Sequence, residues 1–206
     1  MNRRNFLRAS ADSLPGAEVL QGEEQPAFGA APEFKNDVEI LNFALVLEYF
    51  LSQLYREASG LLEGKEARYI SQILGDENGH VAALTKTVQT LGGDPARTPG
   101  INLRNLLSDR DTFLRNSHKF ENLFAGAYLG AARYVKNYDI LQAALGIYGV
   151  EERHAAITGQ LLGLSAEGGV YTGSTGTPIG KDKVLQAVKP FIKGARTASG
   201  KAAITS

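Results

Sequence analysis

The sequence predicts an all-α protein, an antiparallel four-helix bundle with a long connection between helices 2 and 3. Three observations carry that reading. Four segments repeat apolar residues at spacings of three and four. Each segment runs roughly 20–28 residues, which at 1.5 Å per residue suits a bundle. The links are unequal: short between helices 1 and 2 and between 3 and 4, longer between 2 and 3, about residues 92–107. Short links make antiparallel neighbours, and a long link can cross the length of the bundle, giving up-down-down-up order.

The first helix is expected over 37–58. Asn36 with Glu39 three residues on forms a capping pair, Leu41, Leu45, Glu48, Ser52 and Tyr55 share a face, and Ser59-Gly60 stops it. The second, 64–91, carries a stripe of Ile70, Ile73, Leu74, Glu77, His80, Val81, Leu84, Val88 and Leu91, closed by Gly92-Gly93. The third, 108–136, begins at a Ser108 cap and turns Leu114, Ser117, Glu121, Phe124, Tyr128, Ala131 and Val135 inward. The fourth, 139–163, turns Ile140, Ala144, Ile147, Glu151, His154, Thr158 and Leu161 inward. Residues 165–206 form a C-terminal extension. In it a loop is followed by a short amphipathic helix over 181–192, ended at Pro190 and packed on the bundle, and 195–206 read as disordered.

Residues 1–35 read as a flexible tail, rich in Pro, Gly and Glu without periodicity. Its start, MNRRNFLRAS, pairs Arg3-Arg4 with Phe6-Leu7 like a twin-arginine export signal. The apolar run such a signal needs does not follow, so the compartment stays open between exported and cytoplasmic. The chain has 206 residues, 43% of them apolar, enough for one domain with a real core. Net charge is zero, which argues against nucleic acid and anionic membrane surfaces as partners. No stretch reaches the ~18 apolar residues of a membrane span. With no Cys, thiolate metal sites and cysteine nucleophiles are excluded, and any metal must be held by Glu, Asp and His.

The three histidines are His80, His118 and His154. Helix 2 reads DENGH and helix 4 reads EERH, so Glu77 precedes His80 by three residues and Glu151 precedes His154 by three. Residues three apart share one helix face, and both pairs lie inside apolar stripes. The stripes of helices 1 and 3 each carry one carboxylate, Glu48 and Glu121. Tyr55 follows Glu48 by seven residues and Tyr128 follows Glu121 by seven, so the chain reads as two copies of one helical hairpin.

Four carboxylates in a bundle core do not stay ionised and unpaired, because each costs several kcal/mol of desolvation and repels its neighbours. Two divalent cations match their charge. Oxygen and imidazole donors suit iron first and manganese next, with zinc acceptable. The predicted metal ligands, and catalytic groups in that sense, are Glu48, Glu77, His80, Glu121, Glu151 and His154. Glu77 and Glu151 are the natural bridges, and Glu48 and Glu121 the terminal carboxylates. His118, three residues before Glu121 on the same face, reads as a partly exposed side chain, with an extra ligand or a supporting partner as the alternatives. Tyr55 and Tyr128 read as plain core aromatics, the alternative being that they hydrogen-bond ligands or carry a radical. Asp76 and Glu152 lie about 100° off the inner face and are expected in solvent. Gly75, Gly79, Gly146 and Gly149 flank the site, where they would allow close helix approach or a local bulge.

ILNFALVLEYFLSQLYREA, DENGHVAAL, FENLFAGAYLGAA and VEERHAA together resemble the bacterial ferritin-like domain family often described as desiccation-related. The resemblance spans roughly 36–192, with the bundle itself over 36–164. It implies a ferritin-like bundle with a di-iron or di-manganese centre on the same six residues.

The leading functional expectation is a dimetal carboxylate protein that oxidises iron or consumes oxygen or peroxide in stress protection. A manganese-catalase-like disproportionation of peroxide, with Glu121 moving protons, is the enzymatic variant. The alternative is a non-catalytic stress or desiccation-related structural protein with a stabilising or vestigial metal site. Iron storage would require a hollow shell of many copies, and a homo-oligomer is left open.

Overall fold

The computed structural model describes residues 33–170 and 173–193. The basic start with Arg3 and Arg4 and the stretch 195–206 lie outside the described residues. Four long helices follow in order: α1 Asp37–Glu57, α2 Gly64–Thr90, α3 Arg110–Ala132 and α4 Tyr138–Leu161. A short helix, α5 Lys181–Val188, and two 3-10 turns, Arg104–Leu106 and Lys189–Phe191, complete the described elements.

Local chemistry sets the ends. The Asn36 side chain accepts from the Glu39 backbone N–H at 2.9 Å and starts α1 as expected. Helix α3 starts two residues later than 108. Its cap is Asp109, whose carboxylate accepts from Thr112 N–H at 2.8 Å. Ser108 instead donates to Asp109 at 2.7 Å. A carboxylate is the better acceptor at the positive end of a helix, so Asp109 takes the role expected of Ser108. Helix α3 also ends four residues earlier than 136. There the chain turns so that the Lys136 and Asn137 N–H groups both donate to the Asp37 carboxylate at 2.9 Å. Gly92, at φ 75°, makes the left-handed stop after α2.

Those contacts also give the helix directions. Asp37 at the start of α1 meets the end of α3, so these two run antiparallel. Asn42 near the start of α1 hydrogen-bonds the backbone at Asp94 and Ala96 just past α2, so α1 and α2 run antiparallel as well. Helices α2 and α3 therefore run parallel. The 91–109 link returns along the bundle, and the order is up-down-down-up.

The predicted inner faces are buried or half-buried at every position but one, and the structure buries one face more than expected. Leu91 caps α2 and is 42% exposed rather than inside. Helix α3 buries a second face besides the expected one, through Phe113, Phe120 and Ala127. That second face is covered from outside. Phe191 stacks edge-on against Phe50 and Phe120 at 5.8 and 5.7 Å, and Val184 and Val188 of α5 join the same core. Ile101 of the crossing link forms an antiparallel bridge with Ile192. Ordered packing reaches back to Phe34, which sits against Phe43 and Tyr134. The extension and the crossing link thus both cover the α1–α3 side. Helices α2 and α4 meet only sparsely and keep one flank in solvent. Helix α1 is long and apolar enough by length and composition to cross a membrane, contrary to the expectation above, but most of that apolar stretch is buried inside the bundle.

Two kinds of glycine separate here. Gly130 lies under the extension, and a Cβ on it would stand 2.2 Å from the Ile179 carbonyl oxygen. Gly75, Gly79, Gly146 and Gly149 have nothing within 4 Å of a Cβ, and their helices run through them unbroken. The expectation that they permit close helix approach or a bulge is therefore corrected: they leave open space on the α2–α4 flank. Gly130→Ala is expected to cost about 1–3 kcal/mol through overpacking, whereas Gly146→Ala should gain up to about 1 kcal/mol from helix propensity. Thermal melts of the two variants should shift in opposite directions.

Candidate metal centre

All six predicted residues converge halfway along the bundle. Glu48, Glu77, Glu121 and Glu151 are fully buried, His154 nearly so, and the His80 side chain is 12% exposed. His80 Nδ1 lies 3.0 Å from Glu151, 3.3 Å from Glu48 and 3.7 Å from Glu77. His154 Nδ1 lies 2.9 Å from Glu77, 3.8 Å from Glu121 and 3.9 Å from Glu151. The donor atoms form two overlapping quartets, each within 4.8 Å: Glu48, Glu77, His80 and Glu151, then Glu77, Glu121, Glu151 and His154. Glu77 and Glu151 belong to both.

The tyrosines cross between hairpins. Tyr55 of α1 donates to Glu121 of α3, and Tyr128 of α3 donates to Glu48 of α1. Each phenol takes one oxygen of a carboxylate and leaves the other facing the centre. Ser52 and Arg56 of α1 both donate to the Asn78 side chain, tying α1 to α2 beside Glu77.

His118 stands apart. Its Nδ1 meets the Ala155 carbonyl at 2.8 Å, and its ring lies against Gly159, where a Cβ would approach within 2.9 Å. It ties α3 to α4 and belongs to neither quartet. Asp76 was missed in the sequence reading. Its side chain is 58% exposed, yet Oδ2 lies 3.2 Å from His154 Nε2. A residue 100° off the inner face of α2 can reach across to α4, and its place directly before Glu77 was the available signal. Its contact on Nε2 leaves Nδ1 aimed at the carboxylates, the way outer carboxylates orient metal-binding imidazoles. The matching position before Glu151 is Val150, so the two halves differ here. The histidines border a cleft on the α2–α4 flank, which Gln72, Asp76 and Arg153 also line.

The cluster's protonation follows from burial. Burial raises Glu48 and Glu121 well above the usual carboxyl range, and the charge of Glu151 adds to this. Burial also opposes ionisation of Glu151, but contacts with His154 and His80 outweigh it and hold that carboxyl down at about 2. Burial disfavours charge on both histidines too. The carboxylates around them win, pushing His80 up to about 12 and His154 up to about 10.

Whether a metal fits can be judged from the unpaired atoms. Both oxygens of Glu77, both of Glu151, Oε2 of Glu121 and Nδ1 of His154 are buried and make no aligned hydrogen bond. Lone pairs left so in a dry core are costly. They are also the hard oxygen and imidazole donors that divalent transition metals take. The buried Glu and His cluster can therefore hold a metal ion.

A ferritin-like domain model matches residues 36–164, more than half of the chain. The chain belongs to the ferritin-like domain family. The match spans the helices that supply every residue of the cluster. No curated protein sequence matches the chain closely.

The protonation pattern gives the metal-free protein a signed pH dependence. Both histidines are raised above their unfolded value near 6.5, so their contribution is fully present below that pH. It is lost as pH rises through about 10 and then about 12. Glu48 and Glu121 act in the same direction above the ordinary carboxyl range, because the folded protein keeps protons that the unfolded chain releases. Glu151 contributes above its unfolded value, and that contribution is lost as pH falls through about 2. Denaturation of metal-free protein should show stability falling steadily from pH 6.5 to pH 10. A flat profile over that window would remove the charged histidines.

Proposed function

We propose that the cluster binds two divalent metal ions, iron first and manganese next, and that the protein oxidises iron or consumes oxygen or peroxide in stress protection. The observation that carries this reading is the pair of overlapping quartets sharing two buried carboxylates that make no aligned hydrogen bond. Glu48 with His80 would hold one ion, Glu121 with His154 the other, and Glu77 and Glu151 would bridge. When bound, such a pair supplies redox electrons to a small oxidant and draws negative charge toward itself.

The chain's own groups do the rest. Tyr55 and Tyr128 orient the terminal carboxylates through hydrogen bonds on their outer oxygens. Asp76 holds the His154 ring in place. Glu48 and Glu121, which burial biases toward the neutral form, are suited to give up a proton when a cation enters and to take one back when negative charge develops beside them. The cleft beside His80 and Arg153 gives ions and polar oxidants a wet approach. Belonging to the ferritin-like domain family supports the reading as a whole.

Protein purified from its own host should carry about two iron or manganese per chain by elemental analysis, and a Glu77→Ala, Glu151→Ala double variant should carry none. Metal-free protein in both, with unchanged folding, would replace this reading with a structural bundle. Loading should release protons, since the ligands must shed them. Affinity should therefore rise between pH 6 and pH 8, read as proton release in calorimetry across buffers of different ionisation heat. Loaded protein that consumes neither oxygen nor peroxide would leave the metals a structural staple.

A further inference from the structure

One turn above the carboxylates, toward the start of α1, all four helices line an apolar pocket of about 60 Å³. Its position follows from sequence register. Ala44 stands four residues before Glu48, Ile147 four before Glu151, and Leu84 four after His80, and all three line it. One helical turn is ~5.4 Å, so the pocket lies directly on the cluster. Tyr128, whose hydroxyl bonds Glu48, forms part of its wall.

The lining is apolar, and every helix contributes at least one alanine to it. Ala44, Ala83, Ala127, Ala131, Ala143 and Ala144 come from all four helices, and Thr87 and Tyr128 are the only residues in the lining with polar side-chain atoms. Ala83 and Ala143 are exposed, so the pocket reaches the surface at the sparse α2–α4 seam. A void in a core is destabilising, and any one leucine in place of these alanines would reduce it. Lined this way, it holds neither water nor an ion well, since either would lose hydrogen bonds without replacement. Its volume is under half of the ~150 Å³ that accommodates benzene. What fits is a diatomic or monatomic apolar molecule.

We infer that this pocket is a binding site for a small apolar gas, dioxygen in use, held one helical turn from the carboxylate cluster and entering between Ala83 and Ala143. The site for the gas stands on the pocket alone; its use for dioxygen rests on the dimetal reading above. The two approaches to the cluster then divide by polarity: ions and peroxide through the cleft at His80 and Arg153, dioxygen through the alanines.

Xenon is the probe, used on metal-free full-length protein. Crystals pressurised with xenon should show one atom among Ala44, Ala131 and Ala144, and xenon NMR should show saturable binding in solution. Ala144→Leu should abolish both. If that variant does not fold by circular dichroism, Ala83→Leu at the exposed mouth should slow xenon exchange several-fold instead. In loaded protein, filling the pocket should raise the KM for oxygen about tenfold. Absence of xenon from the wild-type pocket, or its seating in the polar cleft, overturns the inference. A chain that takes xenon but no metal would leave the gas site standing and sink the dimetal reading.

Discussion

Burying four carboxylates at one level of a helical bundle is the constraint on which the rest of this structure depends. An ionised carboxylate in a dry core is costly, and four of them repel one another. The protein distributes that cost. Two histidines stand among the carboxylates, two tyrosines take their outer oxygens, and burial keeps Glu48 and Glu121 toward the neutral form. Most of what is left without an aligned hydrogen bond is on Glu77 and Glu151, with Glu121 Oε2 and His154 Nδ1 beside them. The aromatic packing of Phe50, Phe120, Phe124 and Phe191 lies to one side and takes no part in this. It supplies apolar burial against which such a polar centre can be maintained.

The division of labour between the two sides of the bundle follows from the connections. The long crossing link and the C-terminal extension both pack over α1 and α3, where Gly126 and Gly130 let the chain near Ile179 lie close on the helix. That side is sealed. The α2–α4 side has glycines with open space beyond them and few contacts between the helices. Among the described residues, the cleft that the two histidines border lies between the helices that carry them.

Much of this was legible in the residues. Helix spacing read the four helices to within a few positions, since each stripe is long and regular. The Glu and His residues stood out because polar groups repeated at helical spacing inside apolar runs. What escaped notice depended on neighbours distant in sequence. Asp76 looked solvated because its own helix gives it no partner; the partner is on α4. The second buried face of α3 was invisible until the extension was laid over it. The glycines near the site invited a packing explanation, whereas their surroundings turn out to be empty. Ser108 lost the cap because the adjacent Asp109 offers a stronger acceptor.

The crossed tyrosines have a consequence for how the molecule is put together. Helices α1 and α2 contain Glu48 without its phenol and Tyr55 without its carboxylate, and α3 and α4 contain the converse. Neither hairpin can complete its own quartet or bond its own tyrosine, so the centre as a whole requires the two to be docked. Each hairpin brings one histidine and two carboxylates of its own, but the fourth member of each quartet comes from the other hairpin, so a complete centre reports that both have docked.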